Sequence, residues 1–246
     1  MFSIKTELTE KHHGFHPTLK STISINNSEN VPSDCGLSLL YDKISPKLIV
    51  DIYEIKRLFE EKRLIKKSFS KSSDYLHEAL IWGNLDLEAP YSFVDSDKLG
   101  GLLIPLSGPG ELNDEESFKI TVSVPLHLRY LPPSLSNNQF DGSLLTDVTI
   151  RSPEIGWVCS KQNDGGEDFY TEQKNLKILP SHLVFRKISL TEVKNDDISI
   201  LIPVGYQMDE NWVQLITYLS VWFTLGWVIF KLIKSILKEQ EYIKSA

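Results

Sequence analysis

Alternation of apolar and polar residues dominates the chain up to about residue 208. Phe118, Ile120, Val122 and Val124 share one parity, and Leu126, Leu128 and Tyr130 continue it. Ile198, Ile200, Ile202 and Val204 repeat the pattern, and Leu19, Ser21, Ile23 and Ile25 give a weaker version. A period of two puts one set of side chains on a buried sheet face and the other in water. Further strands are predicted over Cys35–Leu40, Leu80–Leu87, Leu99–Ile104, Leu144–Ile150, Ile155–Ser160 and His182–Leu190. Turn-rich clusters lie between them, at Ser107–Gly110, Leu131–Gly142 and Gln162–Asp168. Short strands punctuated in this way predict a mainly β, sandwich-like domain over residues 1–208.

The pattern departs from period two in two places. From Asp51 to Lys67, apolar residues fall at Ile52, Ile55, Leu58, Phe59 and Ile65, near helical spacing. Asp51 is placed to cap this helix, with Glu54 three residues later as in a capping box. From Trp212 to Phe230 no residue is charged. Such a run spans about 28 Å as a helix, close to the hydrocarbon thickness of a bilayer. Trp212 and Tyr218 lie toward one end and Trp222 and Trp227 toward the other, a loose aromatic belt. A single membrane helix is predicted over 209–233, with a short tail at 234–246.

Charge then orients the span. Lys231, Lys234, Lys238 and Lys244 follow it and outnumber Glu239 and Glu241, whereas Asp196, Asp197, Asp209 and Glu210 precede it. The positive-inside rule puts the tail in the cytosol and the β domain in a lumen. Residues 1–20 hold no apolar run of signal-peptide length, which conflicts with this and leaves the entry route open. The alternative is a tail-anchored cytosolic β-sandwich adaptor at the endoplasmic reticulum surface. The overall net charge of −7 argues against a nucleic-acid-binding surface. Two cysteines exclude a disulfide-rich scaffold. Cys35 and Cys159 allow one bridge, and both a bridge and two buried thiols stay open.

No residue set amounts to an active site. The chain has no P-loop, G-x-G-x-x-G, H-E-x-x-H or G-x-S-x-G motif. Asp95-Ser96-Asp97 resembles the Asp-x-Asp pair of metal-dependent sugar transferases, but 33 acidic residues make such a triplet expected by chance. His12, His13 and His16 cluster in the N-terminal arm without a strong fourth ligand, so a solvated arm is the reading preferred. No catalytic residue, cofactor or metal is expected. Asn26-Asn27-Ser28 is a glycosylation sequon, usable at Asn26 only on the luminal side. Thr217, Ser220 and Thr224 share one face of the membrane helix. They suit either a contact with another helix or hydroxyls bonded to their own backbone.

Three segments carry a family resemblance: Val50-Asp51-Ile52-Tyr53-Glu54-Ile55, Asp86-Leu87-Glu88-Ala89-Pro90, and Val124 through Ser134 with His127, Arg129 and Tyr130. Gly14-Phe15-His16-Pro17 and Ile202-Pro203-Val204-Gly205 add to it. Together they resemble the PIG-X family, whose fungal branch is called Pbn-type. The resemblance implies a non-catalytic subunit of glycosylphosphatidylinositol (GPI) mannosyltransferase I in the endoplasmic reticulum membrane. Its implied partner is a multi-spanning catalytic subunit of the PIG-M type, which adds the first mannose to the GPI precursor. It also implies a luminal domain before one C-terminal span. Asp51, Tyr53, Glu54, Asp86, Glu88, His127, Arg129 and Tyr130 are then candidates for partner contact or for structural support. Alternation predicts Leu126, Leu128 and Tyr130 on one face, His127 and Arg129 on the other, and a strand ended by Pro132 and Pro133. On the structural reading, Arg129 pairs with an acid such as Asp51 or Glu88.

Overall fold

The computed structural model describes residues 2–9, 15–26, 35–66, 78–95, 97–107, 117–133, 139–140, 143–161, 170–174, 176–188, 192–193 and 197–245. In chain order the first elements are β1 (Phe2–Leu8), β2 (Thr18–Asn26), β3 (Cys35–Ile44), β4 (Leu48–Ile49), α1 (Ile52–Glu60), β5 (Ile65–Lys66), β6 (Leu80–Trp82) and β7 (Gly100–Pro105). Next come β8 (Ser117–Pro125), β9 (His127–Leu128), β10 (Gln139–Phe140), β11 (Ser143–Ile150) and β12 (Glu154–Ser160). The last are β13 (Tyr170–Lys174), β14 (Leu183–Ile188), β15 (Glu192–Val193), β16 (Ile198–Pro203) and α2 (Glu210–Ser245). The chain divides into two compact units, residues 1–131 with 145–203, and residues 132–144 with 204–246.

In the first unit, one sheet runs β15-β1-β2-β8-β5 and another β13-β14-β12-β3-β7-β6. One cluster of buried side chains draws on both sheets. Leu19, Ile23, Ile120, Val122 and Val124 come from the first, and Leu37, Leu39, Ile104, Ile155 and Trp157 from the second. These residues alternate along β2 and β8, so one face of each strand is sealed from water. The arrangement is a sandwich, closed by two cross-sheet contacts. Phe2 meets Trp157 edge to face at 6.1 Å, and the Tyr41 hydroxyl bonds Ser21 Oγ at 2.8 Å. Burial pushes the Tyr41 phenol well above its ordinary pKa, so it stays neutral and serves as a hydrogen-bond strut.

β3 is buried along both faces from Cys35 to Tyr41. Its outer face packs through Leu40 into a second small core with Leu103, Val158, Leu179, Leu183 and Phe185. Gly156 makes this packing possible, because a Cβ there would overlap the Phe185 ring and the Arg186 carbonyl. Cys35 and Cys159 are direct partners in the β3–β12 register, with Cα atoms 4.4 Å apart, and are joined as a disulfide.

Two predicted elements prove shorter. The helix ends at Glu60 instead of running toward Lys67, because Lys62 turns the chain with φ 55° and the amides of Arg63 and Leu64 fold back onto the Leu58 carbonyl. Leu64 is thereby buried, and Ile65 pairs with Val122. The strand predicted over Leu80–Leu87 stops at Trp82, where Gly83 takes φ 112°.

In the second unit, α2 is one continuous helix of 36 residues. Its segment Glu210–Leu237 is long and apolar enough to cross a membrane. It continues without a break into the segment predicted as a tail. Lys231 lies over the Trp227 ring at 5.1 Å, a cation–π contact at the end of the apolar run.

Candidate functional site

The residues singled out around His127 meet in the first unit, where three distant stretches are tied together by backbone. The Leu126 amide donates to the Pro17 carbonyl, that of Leu128 to Phe15, and that of Arg129 to Lys47. β9 also pairs with β4, placing His127 opposite Ile49. Two residues beyond Ile49, Asp51 adopts extended φ/ψ and accepts from the Tyr53 amide at 2.8 Å and the Glu54 amide at 3.3 Å. This N-cap starts α1 and projects Glu54 from its first turn. Glu54 does not complete a capping box. Its Oε2 instead accepts from His127 Nε2 at 2.8 Å, and both side chains are 29% exposed. The other ring nitrogen, Nδ1, lies 2.8 Å from Nδ1 of His16. Asp51, Glu54 and His127 present ligand-type atoms all within 4.8 Å of one another.

Beyond Leu128 the strand alternation fails. Arg129 turns inward and is 3% exposed, whereas Tyr130 turns outward and is 78% exposed. Two corrections follow. Tyr130 does not share a buried face with Leu126 and Leu128; it lies against the Phe15 ring at 4.9 Å. The regular strand ends at Leu128, before Pro132 and Pro133. The ladder frays here: past Leu128 it continues only through the Arg129 amide, which donates to the Lys47 carbonyl, and the regular β4–β9 pairing does not extend to Tyr130.

Arg129 forms no ion pair with Asp51 or Glu88 of the kind predicted. Its guanidinium donates to three main-chain carbonyls, Pro46 at 3.2 Å, Ala89 at 2.6 Å and Asn84 at 3.5 Å. Burial lowers its pKa, and the negative charge of Asp86 partly offsets this. Asp86 shapes the loop that Arg129 grips. Its Oδ1 accepts from the amides of Glu88 and Ala89, and its own amide donates to Asn84 Oδ1. Glu88 and Tyr53 are exposed. The Asp-Leu-Glu-Ala-Pro segment is thus a set of side-chain-capped turns clamped by one buried arginine.

The remaining candidates belong to other segments of the chain or fall outside the described residues. Asp95 Oδ1 accepts from the Asp97 amide in an exposed turn. His12 and His13 fall outside the described residues. Asn26 closes β2 opposite Ser117, and the rest of its sequon lies outside the described residues. Thr217, Ser220 and Thr224 each donate to a carbonyl of their own helix, those of Val213, Thr217 and Ser220. The His16–His127 contact was not legible from sequence, since it joins residues 111 apart. Gly14-Phe15-His16-Pro17 was a visible signal only as a motif.

Fold and site together define a class, a disulfide-linked β-sandwich in a chain that also carries one apolar helix of membrane-spanning length. This chain belongs to the PIG-X / PBN1 family, whose model matches residues 12–233. It is 28% identical over 227 residues to Protein pbn1 of Neurospora crassa, covering 89% of this chain and 41% of that protein. It is 29% identical over 154 residues to Protein pbn1 of Emericella nidulans, covering 61% of this chain and 26% of that protein. The chain therefore spans about a quarter to two-fifths of the length of these curated relatives. No solved structure matches it.

Proposed function

We propose that this chain is a non-catalytic, stabilising subunit of GPI mannosyltransferase I in the endoplasmic reticulum membrane. Its β domain is luminal and its helix α2 spans the bilayer. The observation that carries this reading is the family match across residues 12–233, which takes in the β domain from β2 onward and most of the apolar segment of α2. The disulfide between Cys35 and Cys159 supports the luminal side, because such bonds persist in oxidising compartments. A lipid-linked sugar donor calls for a membrane-embedded site, which the one apolar helix described here does not enclose. Catalysis is therefore assigned to a multi-spanning partner of the PIG-M type. The luminal domain contributes contact area, and the helix confines both proteins to one membrane and raises their effective concentration.

The test is depletion of this chain from cells, followed by assay of first-mannose transfer and of the partner's level. Both are expected to fall together. The Asp95→Asn, Asp97→Asn double variant is expected to restore both. Normal partner level with transfer lost by orders of magnitude in that variant would make this chain catalytic and overturn the reading.

A further inference from the structure

The cluster at the start of α1 has the makings of a metal site that neither family membership nor the proposed subunit role requires. We propose that Asp51, Glu54 and His127 hold one zinc-class divalent cation, with His16 fixing the tautomer of His127. Imidazole and carboxylate are both zinc ligands, and three protein ligands plus a water complete a tetrahedron. The three candidate atoms already lie within 4.8 Å of one another. Glu54 Oε2 and His127 Nε2 are 2.8 Å apart. The ligand–ligand edge of a tetrahedral zinc site is about 3.3 Å for bonds of about 2.0–2.1 Å. Entry of the ion therefore widens this pair by only about half an ångström, within the reach of a side-chain rotation.

Three further features fit. A metal-bound Nε2 gives up the proton it donates to Glu54, so His127 then carries its proton on Nδ1, and Nδ1 of His16, 2.8 Å away, can accept it when His16 is protonated on Nε2. This is the outer-shell hydrogen bond that orients ligating histidines. A carboxylate offers about four lone-pair positions, so Asp51 can cap α1 and bind the ion together. The positive end of the α1 dipole opposes a cation, but it amounts to about half a charge against two carboxylates. Because Glu54 and His127 are each 29% exposed, the water position faces solvent and is open to exchange.

The probe is zinc chloride added to the purified full chain in detergent, with binding read by chelator competition and by metal content after dialysis. Wild type is expected to retain one zinc per chain and to melt at a higher temperature with zinc than with chelator. Glu54→Gln and His127→Gln are expected to weaken binding by at least about a hundredfold, and His16→Ala by about ten- to a hundredfold. Asp51→Asn separates ligation from folding, since asparagine caps a helix as well as aspartate does. It should lose affinity while its melting temperature in chelator stays at the wild-type value. The proposal is overturned if wild type retains no zinc. It is equally overturned if Glu54→Gln and Asp51→Asn bind zinc as tightly as wild type, which would move the ion to other histidines.

Discussion

Arg129 is a cation with almost no access to water, held by carbonyl oxygens of two loops, Pro46 on one and Asn84 and Ala89 on the other. Hydrogen bonds from a charged donor contribute about 1.5–3 kcal/mol each, and removing the donor leaves its acceptors desolvated. Arg129→Ala is therefore expected to cost about 3 kcal/mol or more in urea unfolding. Arg129→Lys should recover only part, because an ammonium cannot span three acceptors in a planar fork. A loss under about 1 kcal/mol would mean that water replaces the guanidinium. Glu154 is the acidic counterpart. Burial opposes its ionisation, but hydrogen bonds from Lys174 at 2.6 Å and Lys187 at 2.9 Å outweigh this and hold the carboxyl below its usual range. A lowered folded-state pKa gives stability that is present at neutral pH and lost as pH falls through that value. Glu154→Gln should flatten the decline in stability below about pH 5. A decline as steep as wild type's would remove Glu154 as its source.

At the scale of elements, the disulfide acts on β3 and β12, which are already hydrogen-bonded neighbours. Its main effect is then on the unfolded chain, where it closes a loop between residues 124 apart. Cys35→Ser or Cys159→Ser is expected to lower stability by about 5 kcal/mol in the chain-entropy model. Thiol labelling of the denatured, unreduced wild type should detect no free cysteine; two free thiols would refute the pairing. Helix α2 makes a contrasting case. The hydroxyls of Thr217, Ser220 and Thr224 already donate within the helix, so they have less to offer a neighbour. Changing all three to alanine is expected to leave the partner's level near wild type. A fall of tenfold or more would place the coupling on this face of the helix.

For the whole molecule, the decisive quantity is sidedness. On the proposed topology, the lysines that follow the apolar run lie on the cytosolic side and the disulfide of the β domain in an oxidising lumen. Protease added to sealed microsomes is expected to spare residues 1–208, and glycosidase should shift the mass if Asn26 carries a glycan. Digestion of the domain in intact vesicles would favour the adaptor alternative at the cytosolic surface.

Much of this was local information, and local information was legible. Period-two alternation identified β2, β8 and β16 with their buried faces, because a half-buried strand needs no knowledge of its partner to show its pattern. The apolar run of α2 and the Asp51 cap were readable for the same reason. The inward turn of Arg129, the Glu54–His127–His16 chain and the Cys35–Cys159 pairing were not, since each depends on which strands become neighbours. β9 is a case in point. Its two residues could not announce that β4 would be equally short, nor that Arg129, still bonded through its amide to Lys47, would be buried while Tyr130 is exposed. Alternation follows from the pleat of one strand, whereas the site follows from ladder lengths and register between strands far apart in sequence, which only the assembled sandwich decides.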